Sequence, residues 1–567
     1  MTFPENITVS RNGVPSGWVN ILDRMPCQLM LLLFSWMTTI AFHWGNDGLW
    51  FQGDAPRHLM NSICCMDLIQ HGLDRPAEFV NEYYARYPAI NLHRYPPMIY
   101  LVTAVFFLCF GISTSIAKAI IHFFSLLLAI YVLVALRRWI SHRAGLCAGL
   151  LLLMPGCMIW SGAIMLNLPA LTLSIASLFH LRCYLENSGN DPEKHFCISL
   201  ALAFLSIFSH PTIGVVFPIA ITWLIIDRKW KWIFDRRIQV TLIVGVLASA
   251  ILYAALYHLS RVQFSQAAVS TKQLRTVYLP VFYIRSIQSL ISGPVLGLAI
   301  AGWLYSVQSP AFRKDAIRML CATTVVVFLL QSIWAKDSRY ILWACPAATY
   351  LVAQLYNVCQ KSDKATLTAF LSNFCLIALF CYLFINNRAP LKTVNEFKTI
   401  AEFIVKESPR TPVLYHGVYD GTTISYLRLL DDQYQHQIVR LENLLALNRS
   451  GKQGDQLRWL GRRSADSVQG NDFASNELQQ AIRNSKCSLF FVEQSESPSF
   501  TLILNAINLL VKSGELKQLC NFQVDMKTQK LRVSAYQLRS SDHNSHQPRT
   551  KTVPILTNGR MYYPVKL

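Results

Sequence analysis

The sequence predicts a polytopic α-helical membrane protein of about 11 transmembrane helices, with interfacial helices in its first outer loop and a C-terminal extracytoplasmic α/β domain. Three observations predict it. Charged residues make up only 15% of the 567-residue chain and hydrophobic residues 53%, with a mean hydropathy of +0.31, whereas soluble domains are nearer a quarter charged. Apolar windows of about 20 residues recur between Met25 and Asn386, each long enough to cross a hydrocarbon core of about 30 Å. Basic clusters fall between those windows in the pattern of cytoplasmic loops.

Taken in order, a polar stretch of about 25 residues precedes the first apolar run, with no small-residue cleavage site after it, so the N-terminus does not read as a cleaved signal peptide. Arg11 and Arg24 place that end in the cytoplasm. The expected spans are 25–42, 116–136, 144–162, 168–185, 196–209, 212–226, 240–258, 284–305, 319–334, 341–358 and 367–385. "RRWISHR", "DRKWKWIFDRR", "AFRKDAIR" and "QKSDK" are then cytoplasmic, and an odd number of crossings leaves the C-terminus outside. The run 96–111 is apolar but short. Counting it as a span would turn every later basic loop outward, so it reads as an interfacial or re-entrant helix.

This divides the chain into a membrane domain, 1–386, and an extracytoplasmic (periplasmic) α/β domain, 387–567. The first outer loop, about 43–96, holds "GDAPRHLMNSICCMDLIQHG", expected to be a helix over about 55–70 that stops before Gly72. Leu59, Ile63, Met66 and Ile69 recur at helical spacing, as in an amphipathic helix on a membrane surface. Beyond 387, "TVNEFKTIAEFIVKES" and "FTLILNAINLLVKSGEL" read as helices, and "TPVLYHGV", "CSLFFVEQ" and "KLRVSAYQL" as strands. That domain shows no nucleophile triad, phosphate loop or metal spacing, and "HNSHQPRTK" reads as a solvated loop.

The net charge of +20, from 52 Lys+Arg against 32 Asp+Glu, marks cytoplasmic loops and anionic lipid headgroups in such a protein, and no nucleic-acid motif accompanies it. Most of the 15 cysteines sit in apolar runs as small hydrophobes. Cys487 and Cys520 alone lie in the soluble part, where an oxidising compartment would allow them to pair.

Asp54 precedes Ala-Pro where a helix begins, so by itself it reads as an N-cap. Together with "DxxR", the short helix ending in Gly, and "RYPAINLHRYPP" entering "YLVTAVFFLCFG", it resembles the C-type glycosyltransferase superfamily, polytopic enzymes that use polyprenyl-phosphate-linked sugars. The resemblance is to the branch of protein O-mannosyltransferases and the lipid A aminoarabinose transferase. "WSGAIMLNLPALTLSIASL", "FSHPTIGVVFPI" and "KDSRYILWACPAATYLVA" are similar to later family segments in the same order.

That resemblance implies a polyprenyl-phosphate-linked sugar donor, probed from within the lipid bilayer, and an acceptor glycan, lipid or protein on the outer side of a bacterial inner membrane. It implies Asp54 as the general base, since a partly desolvated Asp has a raised pKa and binds protons better. Cationic groups belong where the leaving phosphate develops charge. Arg339 in "KDSRY" is either a bidentate phosphate clamp or an interfacial anchor, and Lys336 reads first as an anchor. Arg57 and Arg94 are further candidates for the donor phosphate. His58, Tyr95, Asn167, His210 and Tyr340 complete the expected pocket. Some relatives hold a divalent cation (Mg, Mn or Zn). Here His93 is the ligand on offer and Asn167 stands where the family often has Asp or Glu, a poor set for Mg²⁺. A transporter or lipid flippase is the alternative, though no internal symmetry of paired halves is visible. A catalytically silent scaffold is a third reading, prompted by Asn167.

Overall fold

The computed structural model describes residues 24–43, 48–50, 54–92, 95–187, 191–210, 214–227, 234–259, 281–331, 337–361, 365–386, 393–408, 411–417, 419–431, 433–441, 475–485, 487–494, 498–525, 530–538, 555–557 and 560–562. Its first sixteen helices are α1 (Met25–His43), α2 (Ala55–His71), α3 (Pro76–Arg86), α4 (Met98–Phe110), α5 (Thr114–Trp139), α6 (Ala148–Leu153), α7 (Pro155–Ser161), α8 (Asn167–Leu185), α9 (Pro192–Ser209), α10 (Val216–Ile226), α11 (Arg236–Leu259), α12 (Val281–Ile291), α13 (Gly293–Gln308), α14 (Arg313–Gln331), α15 (Ala344–Lys361) and α16 (Ala365–Asn386).

Among the described residues, five helices are long and apolar enough to cross a membrane (α1, α5, α8, α11 and α16), and two bent pairs raise the number to seven. The remaining expected spans are helices too (α9, α10, α14 and α15), but by length and composition they fall short of that test. α1 shows how such a helix sorts its side chains. Gln28, Leu32, Ser35 and Thr39 face the bundle at helical spacing, while Met30, Phe34 and Met37 face outward, as lipid permits.

The bends have local causes. Pro155 has no N–H to give the preceding turn and drives Met154 to an extended conformation, so α6 and α7 meet at 57°. Ser292 takes φ 79° and separates α12 from α13 by 106°. α4, with 13 residues, is about 20 Å long, well short of a hydrocarbon core.

The expectation of an interfacial amphipathic α2 is overturned. Leu59 and Ile63 are buried, and so are His58, Asn61 and Asp67 from the face expected to meet water. α4 covers one side and the C-terminal domain the other, so a helix with a polar face is internal because that face is matched by protein. α2 does stop at Gly72, whose φ is −129°, so no left-handed turn demands glycine there. Close approach does: a Cβ at Gly72 would lie 2.5 Å from the Phe79 ring.

The C-terminal region begins with β2 (Thr393–Val394), which pairs antiparallel with β1 (Leu49–Trp50) from the start of the first loop. Then follow α17 (Glu396–Glu407), β3 (Pro412–His416), α18 (Asp420–Leu430), β4 (Gln437–Arg440), α19 (Ser475–Asn484), β5 (Leu489–Gln494), α20 (Pro498–Lys512), β6 (Leu516–Asp525), β7 (Lys530–Leu538) and a short β8–β9 pair, Ile555–Thr557 with Arg560–Tyr562. The sheet runs β4-β3-β5-β7-β6, parallel across β4, β3 and β5 and antiparallel beyond. Alternation serves both faces. Val413, Tyr415 and Phe491 join the core with α17 and α18, while Leu414, Phe490 and Val492 pack with α19 and α20. Cys487 and Cys520 are free thiols. β7 lies between β5 and β6, so the two thiols stand about two strand spacings apart, beyond disulfide reach.

α18 seats this domain on α2. Ser425 donates to the Pro56 carbonyl and Tyr426 Oη accepts from the Leu49 amide. Asp67, fully buried, accepts from Arg428 Nη2 at 3.0 Å and from the hydroxyls of Tyr83 and Tyr434. Nearby, Tyr87 Oη donates to Asp431 at 3.0 Å.

Candidate active site

Asp54 occupies the N-cap position of α2, yet its side chain makes no capping bond. Its Oδ2 accepts from Arg339 Nη2 at 2.7 Å instead. Arg339 lies in a 3₁₀ turn, Ser338–Ile341, that Asp337 caps by accepting from the Arg339 amide at 3.0 Å. The other Asp337 oxygen lies 3.0 Å from Arg339 Nε, an ion pair that brackets the guanidinium between two carboxylates. Nη1 reaches Met165 Sδ at 3.6 Å, and the Tyr340 ring lies 5.5 Å from the guanidinium carbon. A loop-borne cation is thus fixed from four sides and is only 8% exposed.

An aromatic row continues from the pair. Ring centroids step from His58 to Tyr95 (4.8 Å), Tyr95 to His210 (5.3 Å) and His210 to Tyr340 (6.1 Å). His58 Nδ1 is fixed by Tyr100 Oη at 2.7 Å, while its Nε2 is buried without a hydrogen-bond partner among the described residues.

Burial is the largest single influence on Asp54 and opposes its charge, but Arg339, His58 and Arg57 together outweigh it and hold the carboxyl at about 2. The expected raised pKa of Asp54 is therefore not what the paired side chain has, because the guanidinium occupies it. Asp337 goes the other way: burial pushes its carboxyl up, with Arg339 opposing. Burial, opposed by Asp54, keeps His58 down at about 3 and so neutral.

Of the residues anticipated from sequence, Asp54 and Arg339 touch; Arg57, His58, Tyr95, His210 and Tyr340 surround them. Asn167 is buried at the start of α8, just past Met165, with both amide atoms unpartnered among the described residues. His93, Arg94 and Lys336 lie outside the described residues. Sequence reasoning missed Asp337, Tyr100 and Met165. Asp337 had a signal, since Asp two residues before Arg at a turn start is a capping pattern.

No group of three His, Cys, Asp or Glu side chains among the described residues could hold a metal ion. Among the described residues both carboxylates at this site pair with Arg339, which offers little to a hard divalent cation, and the expected ligand His93 lies outside them.

Just past Arg339 in the chain, Ile341 and Trp343 line an apolar groove walled by α5, α8, α10, α14 and α15. Arg182 is its charged lining residue: it pairs with Asp315 at 2.9 Å, donates to Tyr350 Oη and lies 4.2 Å from the centroid of Trp139.

No family model matches the sequence, and no curated protein matches it. Solved structures do match. ArnT from Cupriavidus metallidurans bound to undecaprenyl phosphate superposes with a TM-score of 0.60 at 14% identity, over 92% of this chain and 98% of that one. The apo oligosaccharyltransferase of Archaeoglobus fulgidus gives 0.56 at 11% identity, over 82% and 70%. The arabinofuranosyltransferase AftD from Mycobacteria gives 0.52 at 10% identity, over 92% of this chain and 40% of that larger one. These proteins belong to the C-type glycosyltransferase superfamily, and at such identities the likeness is one of fold.

Proposed function

We propose that this chain, an integral membrane protein with the C-type glycosyltransferase fold, transfers a sugar from a polyprenyl-phosphate donor to an acceptor outside the cytoplasm of a bacterial inner membrane. The observation that carries the reading is the Asp54–Arg339 pair, held at 2.7 Å by a turn whose last residue, Ile341, lines an apolar groove. A base and a phosphate-binding cation stand together there, beside a place for a hydrocarbon tail. Undecaprenyl phosphate, bound to the Cupriavidus protein, is of that chemistry.

In this reading Asp54 takes a proton from the acceptor hydroxyl or amine. The acceptor heteroatom forms a bond to the anomeric carbon as the bond from that carbon to the phosphate oxygen breaks. The polyprenyl phosphate leaves with its charge on Arg339. At about 2, Asp54 is a weak base while Arg339 holds it. A donor phosphate that takes over the guanidinium removes the main influence offsetting burial, and burial then drives the carboxyl up toward the working pH. The base is thereby switched on by donor binding. Arg57 adds to the positive field, and His58, Tyr95, His210 and Tyr340 supply a ring-lined wall of the kind a sugar face packs against.

The test is Asp54→Asn in purified protein given a polyprenyl-phosphate sugar. Transfer should fall by roughly 10²–10⁴-fold with donor binding retained. Unchanged transfer would remove Asp54 from the base role. Movement of lipid across vesicles without any transfer would favour a flippase.

A further inference from the structure

α12 has two faces with different neighbours. Tyr283 and Leu290 are buried against the bundle, and Ile287 lines the apolar groove behind the Asp54–Arg339 pair. On the other side Arg285, Gln288, Ser289 and Ser292 wall a second, open cavity, with Tyr382 and Asn386 of α16 also lining it. The two sites stand back to back with one helix between them.

This second cavity carries a cation and no anion. Arg285 is exposed and has no acidic partner among the described residues. Ser292 Oγ is buried without a hydrogen-bond partner, and Ser292 makes no capping bond to the 16-residue α13 that begins beside it. Ser292 also holds φ 79° and ψ 152°, a conformation nearly confined to glycine, which sets its hydroxyl at the cavity wall. The two helices that meet the cavity at their ends are hydrocarbon-like outside: Leu298, Ile300 and Leu304 on α13 and Ile377 and Phe384 on α16 are exposed.

A guanidinium beside the unpartnered Ser292 hydroxyl and the exposed Gln288 amide suits a phosphate, and apolar helix surfaces suit the tails attached to it. We propose that this cavity is a second lipid site, which takes the phosphate-bearing headgroup of a membrane lipid and lays its tails along α13 and α16. The proposal rests on the membrane reading above but not on the transfer reaction. α12 then senses two lipids at once, one on each face.

Native mass spectrometry of the full chain released from lauryl maltoside micelles tests it, with phosphatidic acid as the probe. Arg285→Gln should lower retained phosphatidic acid by about fivefold or more, because a charge-assisted contact is lost, and Arg285→Lys should restore part of it. Asp54→Asn should leave retention unchanged, which separates this site from the proposed reaction whatever becomes of the latter. Diacylglycerol, which lacks the phosphate, should not be retained. Equal retention by Arg285→Gln overturns the proposal. So does complete displacement by millimolar inorganic phosphate, which would make the cavity a site for a soluble anion, or equal retention of diacylglycerol, which would make it a site for tails alone.

Discussion

Removing the guanidinium at the candidate active site by Arg339→Gln leaves Asp54 and Asp337 facing each other with no cation between them. The depression of Asp54 from 3.8 to about 2 corresponds to roughly 2 kcal/mol in favour of its charged form. Burial opposes that charge, so without Arg339 the carboxyl should move above its ordinary value. Stripping one partner from a buried pair costs about 3–5 kcal/mol. With Asp54 still 17% exposed, the low end, about 3 kcal/mol at neutral pH, is expected.

The sign of the pH dependence follows. In the unaltered protein the folded pKa is depressed, so the contribution of Asp54 is complete above 3.8 and is lost only as pH falls toward about 2. In Arg339→Gln the folded pKa is raised, so the penalty is largest at neutral pH and shrinks as the solution is acidified. Unfolding midpoints in detergent micelles between about pH 4 and 8 would read this. The double variant Arg339→Gln/Asp54→Asn should recover most of the loss. A single variant as stable as the parent at pH 7, or a double variant no better than the single, would refute the reasoning.

Further outcomes concern the supports of that pair. Asp67→Ala should destabilise by about 3–5 kcal/mol because Arg428, itself buried, loses its carboxylate; the double replacement Asp67→Leu/Arg428→Met should be milder in the same unfolding measurement. Gly72→Ala should cost about 1–3 kcal/mol by pressing on Phe79, and Phe79→Leu should relieve it. Ala347→Phe should fill the apolar groove and raise KM for a long-chain lipid donor with kcat little changed, as steady-state kinetics would show.

Long apolar windows and basic loops are signals that each segment carries alone, and α1, α5, α8, α11 and α16 were legible for that reason. β5 was legible too, being rich in aromatic and β-branched residues, and β7 by the alternation of Leu531, Val533 and Ala535 with polar neighbours. β6, "LKQLCNFQVD", was not, because the irregularity between Gln518 and Cys520 breaks its alternation and leaves Lys517 and Gln518 exposed side by side. The burial of α2 was invisible for another reason: its polar face is satisfied by Tyr83, Arg428 and Tyr434, two of them hundreds of residues away. At the site, Asp54 and Arg339 were each visible, but that they neutralise one another depends on a contact across 285 positions. A lone Asp near a helix start predicts a cap. Only the fold shows that the carboxylate turns away from the amides.

The Asp67–Arg428 bond also sets a timetable. A ribosome adding about 5–20 residues per second makes Arg428 roughly 20–70 s after Asp67. Through that interval α2 has emerged with a carboxylate, a tyrosine hydroxyl and an apolar surface that nothing yet covers. The segment that carries Asp54 is therefore among the first to be synthesised and among the last to be covered, so a chain that stops short of α18 has Asp54 and Arg339 but leaves the polar face of α2 open. Until α18 arrives, the buried carboxylate of α2 has, among the described residues, only the Tyr83 hydroxyl for a partner.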